Sequence, residues 1–182
     1  MMSRNSIAIA TVCGFLTIVF TGAIIDSYPF LSRAIAGERS VSTWVSGMLL
    51  VMSATISLVF ATRRGWFPWL MVSLFFLVLA LDEHYLFHEA LKYHIIFYYT
   101  LDPSKVSVIA ELPVLAGAVL GLAVAVVLWR RLSARGRRLL ASAVVLGTAS
   151  VIMDVLALGV LLEDSFKVLA ELSLVSALIT DV

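Results

Sequence analysis

The sequence has few charged residues and a single cysteine. Asp, Glu, Lys and Arg make up only 14% of its 182 residues, whereas 62% are hydrophobic. A soluble domain has about 25% charged residues, and a soluble fold of this length could not bury so much apolar surface, so lipid must be the solvent for much of it. Cys13, the only cysteine, lies in the first apolar run. A disulfide framework and a zinc site built from cysteines are therefore excluded.

Two common catalytic motifs are also missing from the sequence. No Gly-rich phosphate loop follows a strand, and no Gly-x-Ser-x-Gly elbow is present. Residues 130–138 are rich in arginine, but they lie between two apolar runs. Membrane topology and contact with anionic lipid explain this basic segment better than nucleic acid does, so we expect the lipid bilayer, and no nucleic acid, as a partner.

The apolar runs predict six transmembrane helices, because a span needs about 20 mostly apolar residues. The predicted spans are residues 6–25, 43–62, 68–88, 106–129, 139–158 and 161–179. We therefore predict an all-α, polytopic membrane helix bundle in which residues 1–182 form a single transmembrane domain. The first run, which follows Arg4, also resembles a signal peptide.

The last apolar run is interrupted by charged residues. A single helix from residue 138 to residue 182 would be about 67 Å long, roughly twice the thickness of the hydrocarbon core. We expect the helix to break at Gly159, since glycine is the weakest helix former there. The alternative to a sixth span is five spans followed by an interfacial C-terminal helix.

The distribution of arginine predicts how the spans are oriented. With the N-terminus in the cytoplasm, the cytoplasmic segments contain Arg4, the Arg63–Arg64 pair and the arginines of residues 130–138, with Asp181 as their only acid. This is the positive-inside pattern. It places both termini in the cytoplasm and predicts a multi-pass protein of the cell membrane, typical of a bacterial inner membrane.

The densest cluster of ionisable residues lies at the end of the third predicted span, in residues 82–89. This segment closes the third predicted span, and at 100° per residue His84 and His88, four residues apart, share one face of the helix. Such a pair can bind one metal ion, as in zinc proteases, provided that other helices supply one or two more ligands. Asp82 and Glu89 share another face, and Glu83 points elsewhere.

Acidic residues of other spans are predicted at the same depth. A charged side chain within a span costs about 2.5–3.5 kcal/mol and is a functional candidate by default. The candidate catalytic residues are Asp82, Glu89, Glu111, Asp154 and Glu163. The candidate ligands of a divalent metal such as zinc are His84, His88, Asp154, Glu163 and Asp164. Lys167 is expected to neutralise Glu163 or Glu171, four residues away on the same helix. A hydrated helix end at residues 82–89 is the simpler alternative.

Two resemblances follow from these residues. Leu81-Asp82-Glu83, His88-Glu89 and the later Glu163-Asp164 with Lys167 resemble small multispan bacterial membrane proteins with a DE…HE pair and a later acidic pair, a resemblance that implies no activity. His84-x-x-x-His88 with a membrane aspartate is similar to the ceramidase and adiponectin-receptor-like hydrolases, which would imply zinc. That family has seven spans and a late histidine pair, whereas this pair lies in the third span.

Three functions are compatible with the sequence. The first is a metal-dependent site that hydrolyses a lipid, in which the metal activates water and a carboxylate acts as the base. The second is a small transporter or proton-coupled carrier of a small ion, with the acids as a relay. The third is a non-catalytic subunit or assembly partner that uses its polar residues for helix contacts.

Overall fold

Six helices form in the computed structural model, which describes residues 40–98, 112–156 and 159–182, and these residues contain no strand. The helices are α1 (Val41–Arg64), α2 (Trp66–Tyr85), α3 (Phe87–Tyr98), α4 (Leu112–Arg131), α5 (Ala134–Val155) and α6 (Val160–Ile179). The all-α prediction is confirmed for the described residues. The predicted first span and the first residues of the predicted fourth span lie outside them.

Four of the described helices, α1, α2, α4 and α5, are long and apolar enough to cross a membrane. Helix α6 has the length of a span but contains Glu163, Asp164, Lys167 and Glu171. Each of α1, α2, α4, α5 and α6 overlaps a predicted span, with ends that differ from the predicted ones by a few residues, whereas α3 lies almost entirely outside the predicted spans.

Local sequence accounts for most helix boundaries. Ser40 caps α1 by accepting a hydrogen bond from the Thr43 N–H, and Ser133 caps α5 in the same way. Gly65 (φ 101°) joins α1 to α2, and Gly159 (φ 129°) precedes α6. Glycine reaches such positive φ angles without steric cost. The predicted break at Gly159 is confirmed.

The predicted third span does not continue to His88 as one helix. Helix α2 ends at Tyr85, and Leu86 adopts the left-handed conformation (φ 55°, ψ 42°) before α3 begins at Phe87. The Asp82 carboxylate accepts a hydrogen bond from the backbone N–H of His88, at 2.9 Å, and so closes the turn. This side-chain contact overrides the continuous helical pattern of residues 82–89, and His84 and His88 lie on different helices.

Helix α6 is the central element of the bundle, with α1 on one side and α5 on the other. Helix α2 packs against α1, and α4 packs against α5. The second half of α6 is the most buried part, with Val175, Ala177 and Leu178 fully inaccessible to solvent. The facing side of α1 presents small side chains, including Ser46, Ser53 and Ser57, which are also fully buried.

The two ends of the bundle have opposite charge. What we call the arginine end comprises the ends of α1 and α4, the start of α5 and Asp181; what we call the acidic end comprises the end of α2, the end of α5 and the start of α6. Residues 130–138, expected as a basic loop, are mostly helical, with only Leu132 and Ser133 between α4 and α5. The Asp181 carboxylate accepts a hydrogen bond from the Ser133 N–H, at 3.1 Å.

Candidate functional site

An ion pair joins α2 to α6 at the acidic end. The Nζ of Lys167 lies 2.6 Å from Oε1 of Glu83, and the side chains are 29% and 13% exposed, respectively. The prediction that Lys167 neutralises Glu163 or Glu171 did not include this partner, although both of those carboxylates lie close enough to interact with the Lys167 charge. Glu83, which the continuous helix would have turned away, is the residue that Lys167 contacts. The pairing crosses between helices, so spacing within one helix could not reveal it.

Two serines of α1 donate hydrogen bonds to acids of α6. Ser46 Oγ donates to Glu171 Oε1 at 2.7 Å, and Ser42 Oγ donates to Asp164 Oδ2 at 3.2 Å. The second oxygen of Glu171, Oε2, is buried and finds no hydrogen-bond partner among the described residues. A buried carboxylate oxygen without a partner is costly, so this atom is a natural contact for a proton or a cation.

The end of α2 is held to α3 by Asp82 and His88. The Nδ1 of His88 donates to Asp82 Oδ2 at 2.7 Å, in addition to the backbone hydrogen bond described above. The hydrogen bond that His88 donates to Asp82 raises the pKa of His88 above its ordinary value, and burial of the ring opposes this shift. Glu89 lies farther away, with Oε1 3.8 Å from His88 Nε2. His84 instead packs edge-on against Trp44 and Tyr85.

Some of these groups line one end of a cavity of about 440 Å³ between the helices. Among the described residues, five carboxylates reach the cavity, together with one lysine and one histidine: Asp82, Glu83, Asp154, Glu163, Glu171, Lys167 and His88. The rest of the wall is largely apolar and comes from α2, α4, α5 and α6, with Phe75, Leu79, Val114, Leu122 and Val144 among its residues. The cavity is therefore amphipathic, and its polar end has more carboxylates than cations.

The structure brings together some of the predicted site residues and separates others. Asp82, His88, Asp154 and Glu163 line the cavity. His84 and Glu89 are not part of its wall, and Asp164 is buried against Ser42. Glu111 lies outside the described residues.

The expected metal ligands do not form a common site. Among residues 40–98, 112–156 and 159–182, no three His, Cys, Asp or Glu side chains are grouped so that they could hold a metal ion. The turn at Leu86 explains why the two histidines do not share a site, since it moves His88 onto α3 and leaves His84 against Trp44.

Three functional candidates emerge only from the structure. Glu83, Lys167 and Glu171 line the cavity, and none of them was a predicted site residue. One sequence signal could have found their neighbours: Ser42, Ser46, Ser53 and Ser57 recur at intervals of four, seven and four residues, which places them on one face of a helix. That face is the one that meets the acids of α6.

The described residues thus define a class: an all-helical bundle with helices able to cross a membrane and a cavity between the helices that is acidic at one end. The chain belongs to the family described as domain of unknown function DUF8692, whose model matches residues 7–182. No curated protein and no solved structure matches it.

Proposed function

We propose that the chain is a multi-pass membrane protein that binds an amphipathic organic cation in the cavity and acts as a small proton-coupled carrier. Its six spans would place the N-terminus, the C-terminus and the arginine end in the cytoplasm of a bacterial inner membrane. The observation that carries the proposal is the pairing, in one cavity, of an apolar wall with a carboxylate-rich end.

The arrangement of the helices supports six spans rather than five. Helix α6 packs between α1 and α5, and its most buried residues have no solvent exposure. An interfacial helix would instead expose one face to water. The arginines at one end of the described bundle and the acids at the other agree with the positive-inside pattern.

The size and lining of the cavity support a small amphipathic ligand. A volume of about 440 Å³ falls within the range of small-molecule sites, roughly 300–1,000 Å³. The apolar wall would contact the hydrocarbon part of the ligand, and the carboxylates would contact its cationic group. Lys167 is already held by Glu83, so Glu163 and Glu171 are the acids that we assign to the ligand.

The excess of carboxylates supports coupling to protons. Ionised acids in a low-dielectric site are costly unless a cation or a proton compensates their charge. When the bound cation leaves, protonation of the same carboxylates restores neutrality. Exchange of a cation for protons at one site is the basis of proton-coupled transport.

Binding of a matched pair of fluorescent probes tests this function. One probe is an alkylammonium with an apolar dye, and the other has a neutral hydroxyl group in place of the amine. We expect the purified protein to bind the ammonium probe at least tenfold more tightly, and Glu163→Gln to remove this preference. Glu89→Gln, at the same end but outside the cavity wall, is the matched control. Equal affinity for both probes would contradict the proposal.

The Asp82–His88 pair favours a second candidate function. A carboxylate that accepts from Nδ1 orients the imidazole, and leaves Nε2 as a general base. His88 lines the cavity, so it could activate water against an ester of a bound lipid, with or without a divalent metal such as zinc. Hydrolysis of a fluorogenic lipid ester that is lost in His88→Ala supports this function, and elemental analysis of the purified protein tests for the metal.

A further inference from the structure

The α1–α6 interface contains two buried hydroxyl groups that no part of the cavity explains. Ser53 and Ser57 have no solvent exposure, and their Oγ atoms find no hydrogen-bond partner in the described part of the chain. By contrast, the buried hydroxyl of Ser73 donates to the Ala54 carbonyl at 2.8 Å. Buried polar groups in folded proteins are nearly always satisfied by protein or by ordered water.

These hydroxyls continue the line that begins at the cavity. Ser46 donates to Glu171, and Ser53 and Ser57 follow it at seven and eleven residues, on the same face of α1. At 1.5 Å per residue, roughly 10 Å separates Ser46 from Ser53 and roughly 6 Å separates Ser53 from Ser57. Two further turns lead to Arg64, which donates to the Asp181 carbonyl at the arginine end.

Glu171 is a proton-accepting group at one end of this row of serine hydroxyls. Its Oε1 accepts from Ser46, and its buried Oε2 has no partner among the described residues. A carboxyl group with one free buried oxygen can receive a proton and hand it to the cavity that it lines. The unpaired hydroxyls lie between this group and the arginine end.

We infer that water molecules bound along Ser46, Ser53 and Ser57 form a proton route from the arginine end of the bundle to Glu171. This inference rests on the proposed function, since the route supplies the protons that the cavity exchanges for its cation. Each hydroxyl both donates and accepts, so a proton entering at one end displaces another along the chain of hydrogen bonds, and no charge is created or lost.

Radiolytic labelling tests the water molecules without reference to any ligand. X-rays generate hydroxyl radicals from bound water, and these oxidise the adjacent side chains, which mass spectrometry then detects. Leu49 flanks the serine row on α1 and is 1% exposed, whereas Leu132 is 2% exposed and lies between α4 and α5. We expect Leu49 to be labelled at least fivefold faster than Leu132 in the full chain. Equal rates would overturn the inference.

Proton uptake in proteoliposomes tests the route itself. With the alkylammonium probe present, a pH jump outside the vesicles should drive proton exchange, and the double variant Ser53→Ala/Ser57→Ala should slow it at least tenfold. Ser73→Ala controls for loss of a buried hydroxyl, and Ser142→Ala, exposed on α5, controls for substitution in general. Unaltered exchange in the double variant would overturn the route.

The two failures can be told apart on one preparation. If the ammonium probe does not bind, the proposed function fails, whereas the labelling of Leu49 still reports on water in the interface. If the interface contained no water, removal of the two unsatisfied hydroxyls would raise the melting temperature of the double variant, and Leu49 would remain unlabelled. That result would also overturn the inference.

Discussion

The Nζ of Lys167 lies 2.6 Å from the Oε1 of Glu83. This ion pair links α6, at the centre of the bundle, to α2, at its edge. Lys167 belongs to α6, and Glu83 to α2, on the far side of α1. The pair is the cross-helix contact at the acidic end that neutralises a lysine within the cavity wall. It leaves the remaining carboxylates of that wall in excess over the cations.

Breaking this ion pair should destabilise the bundle. Removing one partner of a buried pair leaves an uncompensated charge, which costs about 3–5 kcal/mol when the pair is fully buried. Because Lys167 is 29% exposed, we expect a smaller loss for Lys167→Met, about 1–3 kcal/mol. Unfolding in mixed detergent–SDS micelles measures it.

The double variant Glu83→Gln/Lys167→Met provides the control for that prediction. It removes both charges, so much of the stability should return, and a double-mutant cycle should give a favourable coupling energy. Additive losses from the single variants would show that the pair does not contribute to stability.

Close packing at the arginine end predicts that Gly136 cannot be replaced without cost. A Cβ at this position would lie 3.2 Å from the Ala177 carbonyl oxygen and 3.2 Å from the Leu132 Cβ, and would also contact the Asp181 carboxylate. We expect Gly136→Ala to destabilise the protein by about 1–2 kcal/mol through overpacking. Thermal unfolding in detergent measures the change.

Gly47→Ala is the matched control, because the part of the chain that the structure describes places nothing within 4 Å of a Cβ at that position. Alanine is the better helix former, so this variant should gain up to about 1 kcal/mol. A stabilised Gly136→Ala would contradict the close contact between the start of α5 and the end of α6.

Sequence reasoning located five of the six described helices, but it missed α3 and the contacts between the helices. Hydrophobic runs of span length determine α1, α2, α4 and α5, and Gly159 determines where α6 begins. The break at Leu86 was not predictable, because it depends on one side chain, Asp82, that competes with the helix for the His88 N–H. Neither hydropathy nor residue spacing contains information about this local competition for a hydrogen-bond donor.

The end of the bundle at which the candidate site lies was predictable, but the residues that form the site were not. The topology placed acids of several helices at one end, and Asp82, Asp154 and Glu163 do line one cavity. Which acids face a cation depends on how helices rotate against each other, and no pattern within one helix contains that information. Glu83 and Lys167 were therefore missed as a pair.

The Asp82–His88 contact predicts a pH-dependent turn between α2 and α3. The pKa of His88 is raised in the folded protein, so the contact favours the protonated imidazole. Its stabilisation is fully present below the ordinary pKa of histidine, about 6.5, and is lost as the pH rises through the raised value. NMR titration of the ring protons should detect the raised pKa in the native chain.

Asp82→Asn tests the cause of that shift. The amide keeps the size of the side chain but removes its charge, so the pKa of His88 should fall and the pH dependence of stability should weaken. An unchanged titration of His88 in this variant would show that Asp82 does not control the ring.

Filling the apolar part of the cavity should block the proposed ligand without damage to the fold. Gly117 lines the cavity, and no atom of the described residues lies within 4 Å of a Cβ at this position. Gly117→Leu should therefore project side-chain atoms into free space, and it should gain stability because leucine is the better helix former. We expect the affinity for the alkylammonium probe to fall at least tenfold while the melting temperature stays the same or rises.

Gly47→Leu, in α1 and outside the cavity wall, is the matched control, and it should leave probe affinity unchanged. If both variants bind the probe as tightly as the native chain, the ligand does not occupy the apolar part of this cavity, and the carboxylates at its polar end would then have to bind a small inorganic cation or a proton alone.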